Sequence, residues 1–106
     1  MKRRCYLLLA WLPLTALAAT YPVDLDQQLN GAEIMASAET IDRDMAGLQL
    51  HNHGQTVARC TVVFRNGPEA PRTRRTEIQP GEQKILTAKF KREILRLRIQ
   101  LTCEPR

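Results

Sequence analysis

The stretch ILRLRIQLTC, residues 94–103, decides the fold. Leu95, Leu97, Ile99, Leu101 and Cys103 alternate with Arg96, Arg98, Gln100 and Thr102, the period-2 pattern of a strand with one buried face. The competing reading is a helix from Lys84 to Leu101, on which Leu86, Phe90, Ile94, Leu97 and Leu101 share a face. Such a helix leaves Leu95 and Ile99 on the opposite, solvated side, so the five alternating apolar positions favour the strand.

Working back from this strand, the same grammar recurs. TVARCTVVF, residues 56–64, is rich in β-branched residues and places Ala58, Cys60, Val62 and Phe64 on one face. Val57, Thr61 and Val63 make the other face partly apolar, which suits a central strand. Leu48 and Leu50 alternate with Gln49 and His51. Residues 32–41 (AEIMASAETI) read as a strand, and residues 21–25 (YPVDL) as an edge strand or extended arm. Turn chemistry separates the runs: Asn30-Gly31, Asn52-His53-Gly54, Asn66-Gly67-Pro68 and Pro80-Gly81. RTRRTEI leads through Ile78 into the Pro80-Gly81 turn, QKILTAKF follows it, and Lys89 to Glu93 forms a charged break.

The chain opens with Lys2, Arg3 and Arg4, an apolar run from Tyr6 to about Leu17, and small residues at Ala16, Ala18 and Ala19. That is the order of a secretory signal peptide, with Ala16-Leu17-Ala18 as the cleavage motif. Its apolar core falls short of the ~20 residues that span a bilayer. Residues 1–19 are therefore expected to be removed, leaving residues 20–106 as a single domain with no transmembrane segment. Arg3-Arg4 faintly matches a twin-arginine leader, but two arginines are ordinary in a basic leader, so unfolded export is expected. Export implies a periplasmic or secreted protein.

The whole chain carries a formal charge of +5. The leader holds 3 of the 16 basic residues and none of the 11 acidic ones, so the mature part has 13 basic against 11 acidic residues, or +2. The charge is also uneven: six acids against Arg43 alone in residues 20–53, and 12 Lys/Arg against five acids in residues 54–106. Such asymmetry marks either an interaction surface or complementary packing between the halves.

Cys5 leaves with the leader, so Cys60 and Cys103 are the only cysteines of the mature chain. In an oxidising compartment they are expected to pair, a structural rather than redox-active bridge because no Cys-x-x-Cys is present. Both lie on inward faces, as a bridge between strands across the core requires. Six or seven short strands, turns between them and one disulfide predict an all-β fold, an antiparallel immunoglobulin-like β-sandwich.

LQLHNHGQTVARCTVVF followed by IQPGEQKILTA resembles bacterial immunoglobulin-like domains, in which a strand ends in Asn-x-Gly, a long central strand follows and a Pro-Gly-Glu turn opens a later one. The chain as a whole resembles a functionally uncharacterised group of small secreted proteins of Gram-negative bacteria that begin near YPVDLDQQL, carry NGPEAPRTRR and end LRIQLTC. The resemblance implies export and a sandwich, and no activity. Some of that group carry the label 3-phosphoglycerate kinase, which conflicts with this sequence: a short exported chain has no room for two nucleotide-closing lobes and contains no glycine-rich phosphate loop.

Three constellations are candidate sites. His51 and His53 could share one side of an extended segment and hold Cu(II) or Ni(II) loosely, with Met35 and Met45 as soft donors for copper. A zinc site needs three or four ligands, and Cys60 is committed to the disulfide, so the expectation is solvent-exposed turn histidines and no metal or other cofactor. Arg72, Arg74 and Arg75 form the densest basic cluster. Arginine forks suit carboxylate and phosphate, which makes lipopolysaccharide, a phospholipid headgroup or an acidic protein a candidate ligand. Against this stands a solvated face whose charges keep an edge strand from pairing. Ser37 has no histidine near it in sequence, and Asp42 and Asp44 read as turn residues, so no catalysis is expected. Few aromatics remain after the leader, which excludes a stacking platform for nucleic acid and an aromatic sugar groove.

The sequence therefore predicts a non-enzymatic, exported interaction module whose partner is a protein and whose working surface is the NGPEAPRTRR loop, residues 66–75, with the neighbouring basic strands. Binding of an anionic envelope component or a metal is the alternative.

Overall fold

The computed structural model describes residues 21–106; the leader, its cleavage motif and the twin-arginine reading lie outside them. Seven strands follow in order: β1 (Val23–Gln28), β2 (Ile34–Asp42), β3 (Met45–Asn52), β4 (Ala58–Arg65), β5 (Arg72–Ile78), β6 (Gln83–Lys89) and β7 (Leu97–Pro105). They form two sheets, β1-β7-β4-β5 and β2-β3-β6. The chain crosses between sheets from β3 to β4 and again from β6 to β7, while β3 pairs with β6 and β4 with β7. This interlocked Greek key is the core of an immunoglobulin-like sandwich.

Alternation sets the two inner faces. Ala58, Cys60, Val62 and Phe64 of β4 and Leu97, Ile99, Leu101 and Cys103 of β7 are buried, and face Ile34, Ala46, Leu48 and Leu50 of the other sheet. Phe64 is fully buried, and burial of a side chain that size stabilises by roughly 1.5–3 kcal/mol. Thr61 and Val63, on the outer face of β4, are half-buried, as befits a strand flanked by β7 and β5.

Three sequence expectations need correction. First, Leu95 does not join β7: the strand starts at Leu97, and Leu95 is 78% exposed. Ile94 takes the inward place instead, its amide donating to Arg43 O at 2.7 Å, so the chain is still turning when it passes Leu95. Second, the disulfide does not cross the core. Cys60 and Cys103 are bonded, but they are direct partners on adjacent strands of one sheet, their Cα atoms 4.1 Å apart. That separation belongs to a non-hydrogen-bonded antiparallel pair, whose side chains lie closest. Third, the sheets are not wholly antiparallel, because β1 runs parallel to β7.

The position of β1 has an electrostatic logic. Asp24 pairs in register with Arg98, which in turn is opposite Arg65, so an acidic strand lies along a basic one. Arg96 adds an ion pair to Asp24 at 2.9 Å. Exposed pairs of this kind contribute ~1 kcal/mol at most, and the apolar anchors do more: Val23 and Leu25 pack on the core, and Tyr21 is buried with its hydroxyl donating to Met45 O at 2.9 Å.

Of the turns, Asn30 and Gly31 have φ of 49° and 93°, and Gly81 has φ of 79°. These are left-handed conformations that favour asparagine and glycine, as the sequence predicted. The turn expected at Asn52-His53-Gly54 forms: β3 ends at Asn52, whose side-chain oxygen accepts from the Gly54 amide at 2.8 Å. Asn52 is also buried; His51 belongs to β3, and His53 lies just past its end.

Candidate functional site

The loop after β4 and the loop before β7 meet at one end of the sandwich. Asn66 is buried where β4 ends; its side-chain amide donates to Glu69 at 3.1 Å and to Arg92 O at 3.3 Å. The Glu69 carboxylate accepts from the backbone amides of Lys91 (3.0 Å) and Arg92 (2.9 Å) and lies 3.8 Å from Arg72. One carboxylate thus staples the NGPEAP segment onto the segment 90–96. The Lys91 amide is the main influence holding the Glu69 carboxyl below its ordinary range, opposed by burial and helped by the Arg92 amide, the Arg72 guanidinium and Asn66.

A carboxyl with a lowered folded-state value adds stability above its unfolded value, and that contribution is lost as pH falls through the folded one. Thermal denaturation should therefore show a loop-linked decline in stability below about pH 4.5, the ordinary value of this group. Glu69→Gln should lower the melting temperature at neutral pH and flatten that acid limb. An unchanged limb would show that the staple does not contribute.

Within this end, Asn66, Pro68, Glu69, Arg92, Leu95 and Arg96 line a depression of about 210 Å3. Leu95 projects at its margin, and a second large apolar side chain of the loop, Ile94, is buried beneath. The sequence placed Leu95 in the core because period 2 carries no mark of where a strand begins; the charged break at Lys89–Glu93 was the available signal.

The basic cluster divides. Arg72 and Arg74 lie on the inner side of β5, an edge strand, and reach across the seam to β6. Arg72 Nε donates to Lys89 O at 3.2 Å and Arg74 Nε to Thr87 O at 3.1 Å. Because Phe90 and Asn52 bond their partners across the β3–β6 pair through the even-numbered β6 register, the carbonyls of Thr87 and Lys89 point away from β3, along the free edge. The two arginines therefore cap backbone acceptors that, among the described residues, have no strand to pair with. Arg72 also donates to Ala70 O at 2.8 Å and lies over the Phe90 ring, 5.2 Å from its centre. Arg75 points to the opposite face of β5, in the row formed with Thr61 and Thr102. RTRR is thus two edge caps and one outer-face cation rather than a single clamp.

His51 and His53 share the outer side of the three-stranded sheet, their rings 4.0 Å apart in an edge-to-face arrangement. Met35 is the register partner of His51; Met45 is at the far end of β3. Ser37 faces Gln49 on this same sheet, and Asp42 Oδ1 accepts the amide of Arg43 at 2.8 Å in the β2–β3 turn. Among the described residues no group of three or more His, Cys, Asp or Glu is placed to hold a metal ion, and no helix is long and apolar enough to cross a membrane.

Asn52 escaped the sequence reading as a structural hub. Its side-chain amide donates to Ile78 O and Thr56 O, both at 2.9 Å, and its side-chain oxygen accepts from the amide of Gly54 at 2.8 Å. No protein-family model matches the chain, and no curated protein matches it.

Proposed function

We propose that the protein is an exported, non-enzymatic interaction module that binds a protein partner at the loop end of the sandwich. The observation that carries this reading is Leu95: a large apolar side chain, 78% exposed, held at the margin of a depression by a loop that Glu69 pins in place. Exposing one leucine costs little by itself, but an apolar anchor on an immobilised backbone, flanked by Arg92 and Arg96, has the composition of a binding hot spot with a polar rim. A pre-ordered loop also loses little conformational freedom on binding. Its partner has an apolar notch bordered by carboxylates, complementary to the leucine and the arginines. Export is supported by the basic-apolar leader and by the formed disulfide, which persists in oxidising compartments.

The anionic-ligand alternative draws on Arg72, Arg74 and Arg75, and two of these already donate to backbone carbonyls. The experiment is affinity capture from the organism's envelope fraction, with wild type and Leu95→Asp as baits. A stoichiometric protein retained by wild type should bind Leu95→Asp about thirtyfold more weakly or worse, the loss of a ~2 kcal/mol hot spot, with melting temperature unchanged. Equal retention by both baits would reject the loop surface. Recovery of lipopolysaccharide or phospholipid without protein, abolished by alanine at Arg72, Arg74 and Arg75, would favour the alternative.

A further inference from the structure

The outer face of the three-stranded sheet carries a cluster that the loop surface does not use. His51 and His53 are two residues apart along β3 and its extension, so their side chains leave the same face, and the ring centres are 4.0 Å apart. Their neighbour across the sheet is Met35, the direct register partner of His51. The pairing is maintained to the very end: the His53 amide donates to Glu33 O at 2.8 Å, one step beyond the last strand residues. Met35 is 63% exposed, so its thioether is free to swing over the imidazoles. Directly opposite residues in an antiparallel pair have Cβ atoms about 5 Å apart, within reach of a methionine side chain and a ring nitrogen.

From these positions we infer that His51, His53 and Met35 form a soft-metal site selective for Cu(I). Two imidazoles and a thioether are a three-donor set that suits a low-coordinate monovalent ion, because Cu(I) accepts soft sulfur while Zn(II) needs four donors of nitrogen, oxygen or thiolate. Glu33 lies opposite His53, yet among the described residues no group of three His, Cys, Asp or Glu forms here, and the neighbouring side chain with a soft donor is Met35, the register partner of His51. Cys60 and Cys103 are oxidised and buried, which removes the competing thiol ligands of the domain. The sheet supplies the rigidity: β2 and β3 are paired from Ile34–Asn52 through Asp42–Met45, which fixes the backbone of Met35 and His51, and the His53 amide is tied to Glu33 O just beyond. The site is independent of the Leu95 surface and stands whether or not that surface binds a partner.

The test is anaerobic titration of the purified mature protein, residues 20–106, whose two cysteines are bonded to each other so that no free thiol competes, with Cu(I) against a chromophoric Cu(I) chelator. One equivalent should be withdrawn from the chelator. His51→Ala and His53→Ala should each weaken the affinity about a hundredfold, and Met35→Leu about tenfold for Cu(I) while leaving the weak binding of Zn(II) or Ni(II) unchanged. All three side chains are on the surface, so far-UV circular dichroism should be the same for every variant. Failure to withdraw Cu(I) from the chelator would overturn the proposal. So would a Met35→Leu variant with wild-type Cu(I) affinity, since an imidazole pair alone would then explain the binding.

Discussion

Replacing both Cys60 and Cys103 with alanine should lower the unfolding free energy by about 4 kcal/mol, measured by urea denaturation. The bond closes a loop with a sequence separation of 43 residues, and most of the effect comes from the wider ensemble that the unbridged unfolded chain explores. A smaller part comes from the folded state, where the sulfurs occupy core volume: Cys60 is 1% exposed and Cys103 0%. For a domain of this size the melting temperature should fall by roughly 15–30 °C. The urea dependence should also steepen, because the unbridged chain exposes more surface when unfolded. The fold itself should survive, since β4 and β7 remain paired from Ala58–Pro105 to Arg65–Arg98 without the covalent link. A loss below about 1 kcal/mol would mean that the unfolded chain already holds these two strands together.

The second large effect belongs to Asn52. Asn52→Ala should destabilise by about 3 kcal/mol, because a buried carbonyl, a part-buried carbonyl and an amide lose their partner at once. The carbonyls belong to Ile78, at the end of β5, and Thr56, before β4; the amide is that of Gly54. One side chain thereby joins both sheets at the end of the sandwich remote from Leu95. Its own backbone adds two further bonds, Asn52 N to Glu82 O and Gly81 N to Asn52 O, which alanine would keep. Asn52→Asp should be at least as damaging, since it sets a buried carboxylate oxygen against carbonyls that need a donor. His53→Ala, one residue on and exposed, is the control and should change stability by less than about 0.5 kcal/mol. Similar melting of Asn52→Ala and the control would show that water replaces the lost bonds.

Face was legible in the sequence and neighbourhood was not. The alternation Leu97, Ile99, Leu101, Cys103 named the buried side of β7, and Ala58 to Phe64 named that of β4. Period 2 says which way a side chain points, but not which strand lies alongside. It therefore predicted a bond between Cys60 and Cys103 and placed it between sheets, whereas the register sets the two side by side. The parallel approach of β1 to β7 and the pairing of Met35 with His51 are hidden for the same reason: each is a long-range register. The turn at Asn52-His53-Gly54 was legible from its composition, but the hydrogen bonds of the Asn52 side chain to residues 56 and 78 leave no local trace. Charge density left Arg72 and Arg74 open between ligand forks and edge-strand charges, and the backbone acceptors they find, which no composition reveals, belong to an edge.

Those two guanidinium groups give the molecule a handedness in how it can meet extended chains. Along the β6 rim an incoming strand would have to displace Arg72 and Arg74 before it could hydrogen-bond to Lys89 O or Thr87 O. The opposite rim of the same sheet, β2, runs nine residues without a lysine, arginine or proline. One flank is plugged against fibrillar growth by its own side chains, and the other is left as the direction in which the sheet can be extended.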